Sequence, residues 1–300
     1  SDAAYGLIMV AGTAYCLTKF KNMEAGMKKF MKMFMYCGIS TTFWGFMFGS
    51  FFGDAVNIIA TTFFNRPDIR LAPLWFEPVS LPMKLLVFAF GLGILHLFIG
   101  LGIKFYSCVK NGSLADGIYD AIFWYMLVGG GIVYLLTMSM FTEMLGLTFT
   151  LPAVAGTVAA YAAAIGFVGI VLTSGRESKN WVKRILKGLY GAYGVSSYLS
   201  DILSYSRLLA LGLATSVIST VFNKMGSMMG GSIPGAIIFI LVFLIGHSLN
   251  LAINALGAYV HTNRLQYVEF FGKFYEGGGR EFHPLRADTK YVDIKEETLS

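Results

Sequence analysis

Apolar residues along this chain come in long blocks, not in alternation. Seven blocks are near or beyond the roughly 20 residues that carry a helix across a bilayer: 3–20, 30–52, 83–106, 118–140, 151–173, 181–229 and 233–274. Between the second and third lies a polar loop, 65–82, with Pro67, Pro73, Pro78, Pro82 and Trp75. A polar tail follows from 277 to 300. The pattern predicts an all-α polytopic membrane protein, a helical bundle. The sixth block of about 49 residues would be ~73 Å long as one helix, against a hydrocarbon core of ~30 Å. The last two blocks are therefore read as long, tilted helices. A sixth block folded as two spans is the alternative, and it would invert the sidedness of everything after it.

Composition agrees. The chain is 56% hydrophobic and 13% charged, with mean hydropathy +0.64, where soluble domains carry about 25% charged residues. The net charge of +6 sits mostly in loops and reads as topology information, not as a nucleic-acid surface. Lys19, Lys21, Lys28, Lys29 and Lys32 crowd the first loop, Lys104 and Lys110 follow the third span, and Arg176, Lys179, Lys183, Arg184 and Lys187 precede the sixth. These loops are expected to be cytoplasmic, which places the C-terminal tail inside and residue 1 outside. With no Met or basic leader at residue 1, an upstream part is expected to be missing. If that part is cytoplasmic, an odd number of spans precedes this chain, one being the simplest. Cys16, Cys37 and Cys108 form no CxxC pair and read as small core residues. Gly45, Gly49 and Gly53, and again Gly188, Gly191 and Gly194, read as faces for close helix packing. No phosphate-binding glycine loop occurs, so ATP binding is not expected here.

The chemistry lies in the last two blocks. In the sixth, Ser196, Ser200, Ser204 and Arg207 share one helical face, with Asp201 beside it on the cytoplasmic side. Thr215, Ser219 and Asn223 form a second polar row toward the outside. In the seventh, Asn250, Asn254, Gly257, His261 and Arg264 fall on one stripe, followed by Tyr267 and Glu269; His247 lies one turn before it. For Arg264 a snorkelling position or a salt bridge to Glu269 is the simpler alternative. His96 in the third span reads as structural. An arginine at mid-membrane costs at least ~2.5–3.5 kcal/mol, and it stays charged when buried. It cannot relay protons by titrating. It can repel a passing cation and attract a passing carboxylate, which suits a barrier between two aqueous half-pathways. The block-carrying helices hold few acids, so the mobile carboxylate is expected on another subunit.

Four stretches carry a resemblance: SDAAYGLIM at residues 1–9, FWGFMFGSFFGDA at 43–55, SYLSDILSYSRLLALGLA at 197–214 and LGAYVHTNRLQYVEFFGKFYEGGG at 256–279. In these the chain resembles the membrane domain of subunit a, or subunit I, of rotary V-type and A/V-type ATPases, most of all the bacterial branch. The resemblance implies a stator subunit in a bacterial cell membrane, with a cytoplasmic N-terminal domain before eight membrane helices, of which this chain looks like the second onward. It implies two long, tilted last helices facing a rotor ring of proteolipid subunits, each with an ion-binding glutamate. It implies that Arg207 and Arg264 are the essential arginines, and that peripheral- and central-stalk subunits contact the missing domain. The chain departs from eukaryotic members at Asn254, where they have a glutamate, and at Thr215, where they have a histidine. The outer pathway thus lacks acids that the eukaryotic type uses, leaving Glu269 as the best acidic candidate on the cytoplasmic side.

These readings divide the chain into membrane scaffold (1–180), a pair of long helices (181–276) and a cytoplasmic tail (277–300). The expected function is coupling of ring rotation to H+ or Na+ movement, with no cofactor, no bound metal and catalysis of ATP hydrolysis left to other subunits. A cytoplasmic half-channel is expected near Ser200, Asp201, Ser204, Tyr267 and Glu269. An outer one is expected along Thr215, Ser219, Asn223, His247, Asn250, Asn254 and His261. The rivals are a self-contained secondary transporter, which predicts repeated broken helices, and a non-transporting membrane anchor of a soluble complex.

Overall fold

The computed structural model describes residues 2–21, 23–66, 68–69, 72–147, 151–176, 180–275, 277–280 and 282. Among these residues every regular element is helical, and the protein is an all-α polytopic membrane protein. The elements are α1 (Ala3–Lys19), α2 (Ala25–Phe48), α3 (Ala55–Phe64), α4 (Pro82–Lys110), α5 (Leu114–Thr137), α6 (Ser139–Met144), α7 (Ala153–Thr173), α8 (Trp181–Ser227) and α9 (Ile233–Lys273). Five of them, α4, α5, α7, α8 and α9, are long and apolar enough to cross a membrane. The other two expected spans are also helices, α1 of 17 residues and α2 of 24 residues, with Lys28, Lys29 and Lys32 in the first turns of α2. The expected cytoplasmic tail falls largely on residues 283–300, outside the described residues.

α8 is one rod with two bends, which overturns the alternative of two separate spans. The helix is interrupted at Gly194 and Tyr205. Both residues keep right-handed helical angles, φ −55° and −72°, so the direction bends without reversing. α9 runs from a proline-containing first turn, capped by the Ser232 hydroxyl accepting from Gly235 N at 3.3 Å, into a π-helical turn over Leu265–Phe270. Single π turns recur at functional sites. The sequence pattern did not signal this one, nor the two in α5 at Ile118–Ile122 and Tyr125–Gly129. The short helix α3 was likewise unforeseen, because the fourfold glycine spacing suggested that α2 continues.

That glycine reading is corrected. Gly45 lies inside α2, where a Cβ would stand 2.0 Å from Ala3 N, so it sets the close approach of α1 and α2. Gly49 and Gly53 instead have φ of +68°. Gly49 ends α2 in the left-handed conformation that a Cβ disfavours, and the chain turns there. The second glycine set behaves as expected at Gly188, where a Cβ would stand 1.8 Å from the carbonyl of Val171 on α7.

α1 and α2 form an antiparallel hairpin, and so do the last part of α8 and α9. α4 lies against α8 near its middle and against the final turns of α9. An aromatic cluster of Phe48, Phe76 and Leu85, with Trp44 and Phe88 against it, ties the end of α2 and the 72–80 loop to the start of α4. The hairpin's other tie is Asp2. Its carboxylate, 1% exposed, accepts from Ala4 N at 3.0 Å, Ser50 Oγ at 2.7 Å, Phe52 N at 3.0 Å and Gly53 N at 2.7 Å. A buried carboxylate is tolerated when donors surround it in this way. The clamp holds the 50–54 turn beside α8.

Candidate functional site

Two polar clusters lie between α8 and α9. The first is at the end of the bundle where Asp2 clamps the 50–54 turn. Its chain of hydrogen bonds begins at Asp54 Oδ1, which accepts from Asn223 Nδ2 at 3.1 Å. The same Nδ2 donates to the Phe52 carbonyl at 2.7 Å. Asn223 Oδ1 meets His247 Nε2 at 2.9 Å, and His247 Nδ1 shares a hydrogen bond with the Tyr5 hydroxyl. Asn250 Nδ2 lies 2.9 Å from that hydroxyl, 2.8 Å from Ser219 Oγ and 3.1 Å from the Thr215 carbonyl. Asn254 Nδ2 turns back to Asn250, and Asn254 Oδ1 accepts from Thr215 Oγ1 at 2.8 Å. Thr215, Ser219, Asn223, His247 and Asn250 are all buried. Buried polar groups must be bonded to be tolerated, and here the side chains satisfy one another in a continuous row.

The second cluster is at the opposite end, where the last turns of α9 meet α8 and α4. Arg207 Nη1 stands 3.4 Å from Glu269 Oε1, and Nη2 donates to Ser204 Oγ at 3.3 Å. Glu269 is 2% exposed, and its Oε2 has no hydrogen-bond partner among the described residues. The π turn places Leu265, Glu269 and Phe270 together on the buried side. One turn further, Lys273 forms an ion pair with Asp201 and lies 3.9 Å from the Tyr198 ring centroid. On α4, His96 stacks on Phe270 at 4.0 Å and bonds the Tyr205 hydroxyl. His96 is thus a packing histidine at the second bend of α8, as its isolation in sequence suggested.

The clusters do not meet. Thr215 and Arg207 are eight residues apart on α8, about 12 Å at 1.5 Å each, and Leu208 and Leu211 line the interval. Arg264 is in neither cluster. It is exposed and has no ion pair among the described residues, so the alternative bond to Glu269 is not formed. It ends an outward stripe of α9 that runs through Leu249, Ile253, Leu256 and Val260, each at least half exposed, and continues to Tyr267. His261, half-buried, makes no hydrogen bond to the first cluster among the described residues. Ser200 is exposed without a hydrogen bond in either cluster, and Ser196 bonds its own backbone at Tyr193.

The outer row, which lacks the eukaryotic glutamate at Asn254, has other acids beside it: Asp54 bonds directly to Asn223, and Asp2 lies beside Tyr5. Tyr5, Asp2, Asp54, Lys273 and Tyr205 were missed as site residues. The first three come from segments more than 150 residues upstream, and only folding brings them to Asn223 and Asn250. Lys273 alone had a sequence signal, four residues beyond Glu269 and so on its face of a helix.

The chain matches the V-type ATPase 116kDa subunit family over residues 195–287, which contains both arginines. It is 32% identical to the A-type ATP synthase subunit I of Methanocaldococcus jannaschii over 97% of this chain and 43% of that protein. It is also 32% identical to its counterpart in Thermococcus kodakarensis, over 99% of this chain and 42% of that protein. The V-type ATP synthase subunit I of the bacterium Chlamydia trachomatis is 25% identical over 95% of this chain and 49% of that protein. The chain thus spans less than half the length of these relatives. The chain belongs to the V-type ATPase 116kDa subunit family, together with the subunits I of A-type and V-type ATP synthases.

Proposed function

We propose that this chain is the ion-conducting membrane part of the stator of a rotary ATPase, resident in a bacterial cell membrane with its tail on the cytoplasmic side. The observation that carries the reading is the placement of Arg207. It sits inside a membrane-spanning helix, paired with one buried carboxylate in the second polar cluster, and an apolar interval separates it from the first. A fixed cation there blocks direct passage of a cation between the clusters. A carboxylate carried past by a rotor ring of proteolipid subunits would exchange its ion on either side of it.

In this reading the cytoplasmic half-channel comprises Ser200, Asp201, Ser204, Tyr267 and Glu269. The outer one comprises Thr215, Ser219, Asn223, His247, Asn250, Asn254 and His261, and we add Tyr5 and Asp54, which hydrogen-bond to Asn250 and Asn223. The cargo is H+ or Na+. ATP is handled by other subunits, and the stalk subunits contact a cytoplasmic domain outside this chain. Residues 1–180 act as scaffold and 181–276 as the conducting pair.

The test uses the assembled complex in sealed vesicles. Arg207→Lys keeps the charge but loses the planar, forked donor set. ATP-driven ion uptake is expected to fall at least tenfold with the complex still assembled; retained coupled pumping would overturn the mechanism. Substituting Asn223, Asn250 and Asn254 together by Leu should also abolish uptake, and unchanged transport would remove the outer path.

A further inference from the structure

A cavity in the bundle borders the first polar cluster at Tyr5, Thr215 and Asn254. It measures about 540 Å³ and separates the α1–α2 hairpin from α4, α8 and α9. One wall is a single stripe of α2: Met33, Cys37, Thr41, Trp44 and Phe48, at i, i+4, i+8, i+11 and i+15. The facing wall is apolar or small, including Ala89, Leu208, Gly212 and Ala258. Tyr5, Thr215, Asn254 and Asn263 also line it, and the Thr215 and Asn254 side chains bond each other at 2.8 Å.

Most of the lining is apolar, and left empty the cavity forfeits contacts along it. Three of its flanking helices, α4, α8 and α9, are long and apolar enough to cross a membrane, which puts hydrocarbon at its mouth. The lining stripe runs from Met33 to Phe48, about 22 Å of helix, more than half of a ~30 Å hydrocarbon core. The next position on the stripe is Lys29, exposed, with Lys28 and Lys32 exposed beside it. An apolar slot with a cluster of cations at its end has the complementarity of one molecule: an acyl chain joined to an anionic headgroup.

We propose that the cavity is a binding site for an anionic phospholipid, one acyl chain seated between α2 and the α8–α9 pair and the phosphate held by Lys28, Lys29 and Lys32. The seated chain fills the space beside the apolar interval leading to Arg207. The site stands on the cavity and the lysines alone and does not depend on the transport reading.

Trp44 provides the probe. Trp75, Trp124 and Trp181 are replaced by Phe in the full assembled complex, which is placed in nanodiscs of phosphatidylglycerol or phosphatidylcholine brominated near the chain ends. Trp44 fluorescence is expected to be quenched about twofold more by the brominated phosphatidylglycerol. Replacing Lys28, Lys29 and Lys32 by Glu, all at the exposed end of α2, should equalise the two lipids. Cys37→Phe fills the slot and should reduce quenching by both. Equal quenching by the two lipids in the chain with its lysines intact, or quenching unchanged by Cys37→Phe in a complex that still assembles, would overturn the proposal. Mass spectrometry of the purified complex gives a second reading. Retention of about one anionic lipid per chain, lost in the Cys37→Phe variant, is expected; no retained lipid would count against the site.

Discussion

Asn250 shows how much one side chain holds at this site. Its amide serves the Tyr5 hydroxyl, Ser219 Oγ and the Thr215 carbonyl, all three buried. Replacing it by Leu removes these contacts from a buried polar row whose remaining members must re-pair among themselves, at about 1–3 kcal/mol for a group left unsatisfied. Thermal unfolding of the purified chain should shift down by several degrees for Asn250→Leu and by less for Asn250→Gln, which keeps the donor. The residues of the two long helices were legible because helical phase alone aligns Thr215, Ser219 and Asn223, and aligns Asn250 with Asn254. Their partners were not, because Asp2, Tyr5 and Asp54 lie in the first hairpin and its turn, where nothing in the local pattern points to α8. Glu269 was legible as an acid, but its pairing with Arg207 depends on the π turn, a backbone register that hydropathy does not encode.

At the scale of elements, the bundle depends on where helices approach closely. Gly45 and Gly12 lie on the same hairpin and make opposite predictions. A Cβ on Gly45 would stand 2.0 Å from backbone, whereas nothing lies within 4 Å of one on Gly12. Gly12→Ala should therefore stabilise the chain by roughly 0.5–1 kcal/mol through helix propensity, and Gly45→Ala should destabilise it and push α1 from α2. A denaturation midpoint measured for both variants in one detergent checks the contrast. The spans themselves were readable from block length, and so was the excess length of the last two. The single bent rod of α8 was left open, because Gly194 suits both a bend and a break. Only the angles at Gly194 and Tyr205 decide it.

At the scale of the whole molecule, α9 turns one stripe outward, Leu249, Ile253, Leu256 and Val260, with Arg264 and Tyr267 at its end. Lipid alone would cover the apolar part, but an arginine in line with it calls for a partner that carries an acid. If the rotor ring covers this stripe, a cysteine placed at Val260 in the assembled complex will cross-link to a proteolipid subunit. A cysteine at Ile165, exposed on α7, will not. Cross-linking at Ile165 with none at Val260 would mean that the ring sits elsewhere.

The π turn over Leu265–Phe270 has a consequence for angular register. It accommodates one residue beyond an ordinary helical turn, and that surplus fixes the azimuth of all that follows. Deleting Val268 would let the helix close with regular hydrogen bonds and leave Lys273 facing Asp201. Forcing the turn into regular helix with every residue kept would instead rotate the segment beyond it by about 100°, and Lys273 would leave Asp201 while Arg207 stayed in place. The surplus residue therefore sets the phase between the fixed cation and the outgoing end of the chain.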